Sequence, residues 1–161
     1  MELKHKSFVV FLDIDGVLNT RTTVKSTPKG RVGIDDARVA ILAKTIEKYG
    51  GEVVLTSDWK NLKSTDEDYC YLLERLEKYG LTISGHTKDN NRARGAGVVE
   101  YLKEHPEIEE YVILDDNTFD FSDYRKLWER LLLTNGIERA KFASKTPAVE
   151  ALIFMDYLKL F

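Results

Sequence analysis

The apolar run Phe8-Val9-Val10-Phe11-Leu12 stops at Asp13-Ile14-Asp15-Gly16-Val17-Leu18-Asn19, and this junction constrains the chain more than any other. Consecutive apolar residues without polar alternation fit a strand buried on both faces, as in a parallel sheet covered by helices. Carboxylates at the mouth of such a strand are costly unless a cation, hydrogen bonds or a shifted pKa compensates them. A divalent metal is one compensation, and it suits an anionic substrate. A plain strand-to-turn junction is the alternative, because Asp and Gly are common in turns.

The same alternation recurs along the chain. Short apolar runs at Phe8–Leu12, Glu52–Leu55, Leu81–Ser84, Tyr111–Leu114 and Leu131–Leu133 read as strands. Between them lie segments of helical periodicity. Asp35–Tyr49 places Val39, Leu42, Ile46 and Tyr49 on one face before Gly50-Gly51, and Asp66–Tyr79 places Tyr69, Leu72, Leu73 and Leu76 together before Gly80. Glycine just past the last periodic residue is the expected helix stop. Further helices are expected over Gly95–Glu104 and after Pro147. The pattern predicts an α/β fold: one doubly wound, Rossmann-like domain over residues 1–161 with a central, mainly parallel five-stranded sheet.

At 161 residues and 43% hydrophobic, the chain is long enough to bury a core. Its net charge of −3 gives no global reason for nucleic-acid or membrane binding, so anion affinity must come from a local patch. Cys70 is the only cysteine, which excludes an intrachain disulfide and suits a reducing cytosol. With no spanning or signal pattern, a cytoplasmic protein is expected, with no membrane partner and no stable protein partner.

Ligands of open α/β sheets gather at the carboxyl ends of the strands. There the chain places Asp13 and Asp15, then Thr56, Ser57 and Asp58, then Ser84, His86 and Thr87, then Asp115 and Asp116, then Thr134 and Asn135. Four converging carboxylates would repel one another without a cation, and hard oxygen ligands favour Mg²⁺. A helix N-cap is the simpler role for Asp115-Asp116 taken alone. Asp13 is placed to attack phosphorus, Asp15 to exchange a proton with the leaving oxygen, and Thr56 to hold a phosphoryl oxygen.

Asp13-Ile14-Asp15-Gly16-Val17-Leu18-Asn19 resembles the first motif of the haloacid dehalogenase (HAD) superfamily. Thr56 resembles its second motif and Asp115-Asp116 its acidic fourth. Within the superfamily the chain is similar to the small Swiss Army Knife RNA repair-like HAD domains. The segment Val54-Leu55-Thr56-Ser57-Asp58-Trp59-Lys60 is similar to one usually reading Ser-Ser-Trp-Arg, and Arg94-Gly95 precedes the acidic pair as in that branch. Asp58 and Lys60 depart from the branch pattern.

The resemblance implies a HAD-like phosphatase with Asp13 as nucleophile and Asp15 as general acid/base. It implies Mg²⁺ held by the Asp13 carboxylate, the Asp15 backbone carbonyl and one or both of Asp115 and Asp116. Thr56 would bind the phosphoryl group. Arg94 best fits the catalytic third-motif cation, with Lys88 and Arg92 as rivals.

Segment 21–33 carries Arg21, Lys25, Lys29 and Arg31 with no acidic residue, and reads either as a flap beside the site or as a solvated loop. There is no room for a large cap domain, so an open site is expected. Ser57, Lys88 and Trp59 are candidate substrate contacts; Trp59 either stacks on a base or packs, packing being the commoner use of such a Trp. The expected substrate is a phosphorylated small molecule or a phosphate-terminated nucleic acid. The competing reading is a non-catalytic module of the same fold that binds a phosphorylated ligand. A receiver-type signalling domain fits poorly, because its phosphorylated Asp follows the third strand, where this chain reads Ser84-Gly85-His86.

Overall fold

The computed structural model describes residues 7–88 and 93–161. Its strands are β1 (Phe8–Leu12), β2 (Glu52–Leu55), β3 (Ile83–His86), β4 (Glu110–Asp115), β5 (Leu131–Leu133) and β6 (Lys141–Phe142). They form one mixed sheet of order β3-β2-β1-β4-β5-β6. All pairings are parallel except β5 with β6, which is antiparallel. The sheet therefore has six strands rather than the five expected. The sixth pairs only Leu132 with Phe142 and Leu133 with Lys141, too short a run to leave a period in the sequence. Strand β3 lies two residues later than the Leu81–Ser84 expected; it is an edge strand, half-exposed, whose register with β2 shifts between Val53 and Val54.

Among the described residues, five α-helices cover the sheet: α1 (Asp36–Tyr49), α2 (Glu67–Glu77), α3 (Arg94–Glu104), α4 (Arg125–Trp128) and α5 (Val149–Leu158). Alternate residues of β1 serve the two faces. Phe8, Val10 and Leu12 pack in a cluster with Leu42 and Tyr49 of α1, Leu72 of α2 and Phe154 of α5. Val9 and Phe11 pack in a second cluster with Val98 of α3, Phe121 and Leu127. Each such Leu or Phe contributes about 1.5–3 kcal/mol of burial free energy, which holds the strand ends in fixed register. Among the described residues, no helix is long and apolar enough to cross a membrane.

Segment 21–33 is a closed loop anchored on α2. Ser26 bridges Val32, Thr27 Oγ1 donates to Asp68 Oδ2 at 2.9 Å, and the Lys29 amide donates to Asp68 Oδ1 at 3.0 Å. The Ile34 amide donates to the Tyr71 hydroxyl at 3.1 Å. Three of its four cations pair with acids on or next to helices: Lys25 with Asp36 of α1, Lys29 with Asp66, which caps α2, and Arg31 with Asp68 of α2.

Candidate active site

The backbone ladder carries past the strand ends and sets the site residues side by side. The Asp13 amide donates to Leu114 O at 2.9 Å, the Thr56 amide to Leu12 O at 2.9 Å and the Thr134 amide to Asp115 O at 3.0 Å. Asp13 and Thr56 thus follow β1 and β2, and Asp115 ends the neighbouring β4, all on one sheet edge, and all three are buried. Oxygens of Asp13, Asp115 and Asp116 lie within 4.8 Å of one another, a spacing that can hold a cation. Asp116 is exposed, whereas its two partners are sealed in protein.

Arg94 is the cation that meets them. Its Nη1 lies 3.1 Å from Asp13 Oδ1 and 2.7 Å from Asp115 Oδ2, and its Nη2 lies 3.7 Å from Asp58 Oδ1. The first turn of α3 brings it there. Asp120 caps that helix, accepting from the Gly95 amide at 2.6 Å and the Ala96 amide at 3.1 Å. The Phe119 ring packs under the guanidinium, 4.4 Å from ring centroid to Cζ, on a backbone with φ of 41°. Asp120 and Phe119 were not anticipated from sequence; Asn117, whose Oδ1 accepts from the Phe119 amide, is the turn residue that could have marked the bend.

One guanidinium does not balance this cluster. Burial pushes the Asp13 carboxyl well above the ordinary carboxylate range, with Asp115 adding to it and Arg94 opposing. Burial also pushes Asp115 up to about 6, against the pull of Arg94. A second positive charge would favour the ionised forms of both, so the donor set fits a hard divalent cation. Two buried polar atoms of the site, Thr56 Oγ1 and Arg94 Nε, have no hydrogen-bond partner among the described residues. Leaving such a group unpaired costs about 1–3 kcal/mol, which a ligand oxygen would recover.

Asp15 points the other way, toward solvent. Asn19 Nδ2 donates to its Oδ1 at 3.0 Å and Trp59 Nε1 to its Oδ2 at 3.1 Å. Asn19 also accepts from the Gly16 amide at 2.9 Å and donates to Gly33 O at 2.9 Å, which fixes the turn. Gly16 sits at φ 85°, and a Cβ there would run into the Asp116 side chain. The turn therefore requires glycine to bring Asp15 and Asp116 together.

The remaining candidates fall elsewhere. Trp59 is 3% exposed with its N–H committed to Asp15, so it is packed as a support for that carboxylate and offers no face for a base. Ser57 is buried and its Oγ caps the turn at Asp58–Asn61 by accepting from the Trp59 amide at 3.3 Å. Lys60 Nζ donates to the Thr56 carbonyl at 2.8 Å. Lys88 lines a separate hollow with His86, Glu100 and Glu104 beside α3, away from the carboxylates. Arg92 lies outside the described residues.

Residues 9–140 match the family described as the HAD domain in Swiss Army Knife RNA repair proteins. Neither a curated protein nor a solved structure matches the chain at a significant level.

Proposed function

The chain belongs to the family of HAD domains of Swiss Army Knife RNA repair proteins, and from that premise we propose that it is a Mg²⁺-dependent phosphohydrolase acting through an aspartyl-phosphate on Asp13. Family membership supports phosphohydrolase chemistry at the level of the superfamily. What carries the finer reading is the contrast between the two aspartates of one motif. Asp13 is buried against Arg94 among metal-ligand carboxylates, whereas Asp15 is exposed and held by two donors.

In this reading an Asp13 carboxylate oxygen attacks the phosphorus of a phosphomonoester and the bond to the leaving oxygen breaks. Asp15 gives its proton to that oxygen. The Asp15 carboxylate then takes a proton from water, the water oxygen attacks phosphorus, and the bond from phosphorus to Asp13 breaks to release inorganic phosphate. Thr56 Oγ1, buried and unpaired, donates to a phosphoryl oxygen. Arg94 holds Asp13 in place and offsets charge on the transferring group. Asp13, Asp115, Asp116 and the Asp15 carbonyl would hold Mg²⁺, which when bound neutralises charge on the nucleophile and the phosphoryl oxygens. The open site suits a phosphorylated small molecule or a phosphate-terminated nucleic acid.

The test is hydrolysis of an aryl phosphate. Activity is expected with Mg²⁺, with a loss of at least about 100-fold in chelator, consistent with a metal contribution of several kcal/mol. Mg²⁺-dependent binding of a phosphorylated ligand without turnover would favour the non-catalytic module instead.

Two further results are expected. Trp59→Phe keeps the packing but removes the donor to Asp15 Oδ2, a hydrogen bond worth about 1.5–3 kcal/mol to the carboxylate that forms as Asp15 gives up its proton. A fall in kcat of roughly tenfold with KM little changed is expected from that loss; an unchanged kcat contradicts the role given to Asp15.

Stability of the metal-free protein should also depend on pH. Asp13 and Asp115 bind protons more tightly in the folded state than their unfolded value of about 3.9. Their contribution is therefore fully present below that value; for Asp115 it is lost as pH rises through about 6, and for Asp13, whose carboxyl burial also pushes up, it is lost in the same direction. Asp66 and Glu138, held low by hydrogen bonds from Lys29 and Arg38, titrate below this window. Thermal melts in chelator should show Tm falling as pH rises from about 5 to about 7, with Mg²⁺ raising Tm more at the higher pH. A Mg²⁺ effect equal at both ends would contradict the ligand set.

A further inference from the structure

We propose that the groove entering the site beside Asp15 is a subsite for a second phosphate, one carried by the leaving group, and that Arg21, Arg139 and Lys141 bind it. The inference rests on the reading that Asp13 and Asp15 process a phosphomonoester, and it adds the class of substrate.

A cleft of about 760 Å³ opens at Asp15, Gly16 and Asp116, with Arg21 on one wall and Asn135 and Arg139 on another. A second hollow of about 490 Å³ shares Asp116, Thr134, Asn135 and Arg139 with it and continues to Lys141. Together they make a groove larger than one phosphate requires and within the range of small-molecule sites. Its start at Asp15 matters, because the group that protonates the leaving oxygen must touch it. Whatever is bonded to that oxygen extends into this groove.

The charges along the groove are distributed unevenly. Three of the four cations of the 21–33 loop are tied to acids of α1 and α2 or of the residue capping α2. Arg38 is tied to Asp35 and Glu138, so Glu138 is already engaged beside Arg139 in the chain. Arg21, Arg139 and Lys141 are exposed, and none has an ion pair or a side-chain hydrogen bond among the described residues. Among the described residues, the only carboxylates on the groove walls are Asp15 and Asp116, both assigned to the reaction. The reacting phosphoryl group is served at the sheet edge by Arg94 and Thr56. The three groove cations are thus left for negative charge elsewhere on the substrate. Thr20, Thr22 and Asn135 add hydroxyl and amide partners, and among the described residues Val32 is the one large apolar residue of the first cleft. Such a lining favours a phosphate-bearing chain over a hydrophobic group. A nucleoside bisphosphate and a phosphate-terminated oligonucleotide share this chemistry.

Binding to Asp13→Asn protein, measured by calorimetry with Mg²⁺ present, tests the subsite without turnover. A nucleoside 3′,5′-bisphosphate should bind at least tenfold more tightly than the 3′-monophosphate. The combined Arg21→Ala, Arg139→Ala, Lys141→Ala variant, built in the same background and with an unchanged Tm, should lose that difference. Raising the salt concentration should weaken the bisphosphate more than the monophosphate. A 3′-phosphorylated tetranucleotide binding more tightly than the bisphosphate identifies a nucleic-acid end as the source; equal affinity identifies the small molecule. Equal binding of mono- and bisphosphate, or a difference that survives in the triple variant, overturns the subsite. Failure of the hydrolase reading is separate: it would appear as absent aryl-phosphate hydrolysis by the unaltered protein while the bisphosphate preference persists.

Discussion

Asp13→Asn is expected to lower aryl-phosphate hydrolysis by at least about 1,000-fold, the scale on which removal of a covalent nucleophile is felt. The amide keeps the size of the carboxylate but cannot form the phosphoryl ester. It also removes a buried charge beside Asp115, whose carboxyl is already pushed up. The fold should therefore hold or gain stability while activity disappears. That opposition separates a catalytic from a structural role: loss of activity with a large fall in Tm would point to misfolding. Activity within tenfold of the unaltered protein would refute the assignment of Asp13.

Arg94→Met should have the largest effect on stability. Arg94 is 5% exposed and contacts both Asp13 and Asp115. Methionine fills much of the same path but leaves those carboxylates buried without a cation. Breaking a buried pair in this way costs about 3–5 kcal/mol, read as a shift in the urea midpoint of the metal-free protein. The cost should shrink at acid pH, where Asp13 and Asp115 take up protons. Arg94→Lys should recover part of the stability, because an ammonium supplies the charge without the planar fork or the packing on Phe119. A midpoint shift in Arg94→Met that does not depend on pH would mean that packing, not charge, is what Arg94 contributes.

Asp13 is marked by its local sequence, whereas the contacts of Arg94 come from distant parts of the chain. The buried strand before Asp13, the polar residues at Thr56 and Asp115-Asp116, and the glycines closing α1 and α2 follow from periodicity and turn chemistry, which are local. Lys141–Phe142 is two residues long and exists as a strand only because β5 is beside it. The shift of β3 to Ile83–His86 has the same origin, since its register is set by β2. In the site, Arg94 could be ranked above its rivals by position in a motif, but its bridge between Asp13 and Asp115 depends on Asp120 capping α3 from 25 residues away. The indole of Trp59 reaches back 44 residues to Asp15. The 21–33 loop was legible as a basic segment, yet the acids that neutralise most of it stand on and beside helices α1 and α2. Only the folded arrangement separates Arg21, which faces the groove, from Lys25, Lys29 and Arg31, which hold the loop in place.

Phosphorus is expected to pass through Asp13 on its way from substrate to water. Mixing the protein and Mg²⁺ with a phosphomonoester labelled on phosphorus, then quenching in acid within a single turnover, tests it directly. A protein-bound label is expected that is stable in acid and released by hydroxylamine, as an acyl phosphate is, and that maps by mass spectrometry to Asp13 and is absent from Asp13→Asn. Turnover with no label on the chain, or a label on any other residue, would contradict it.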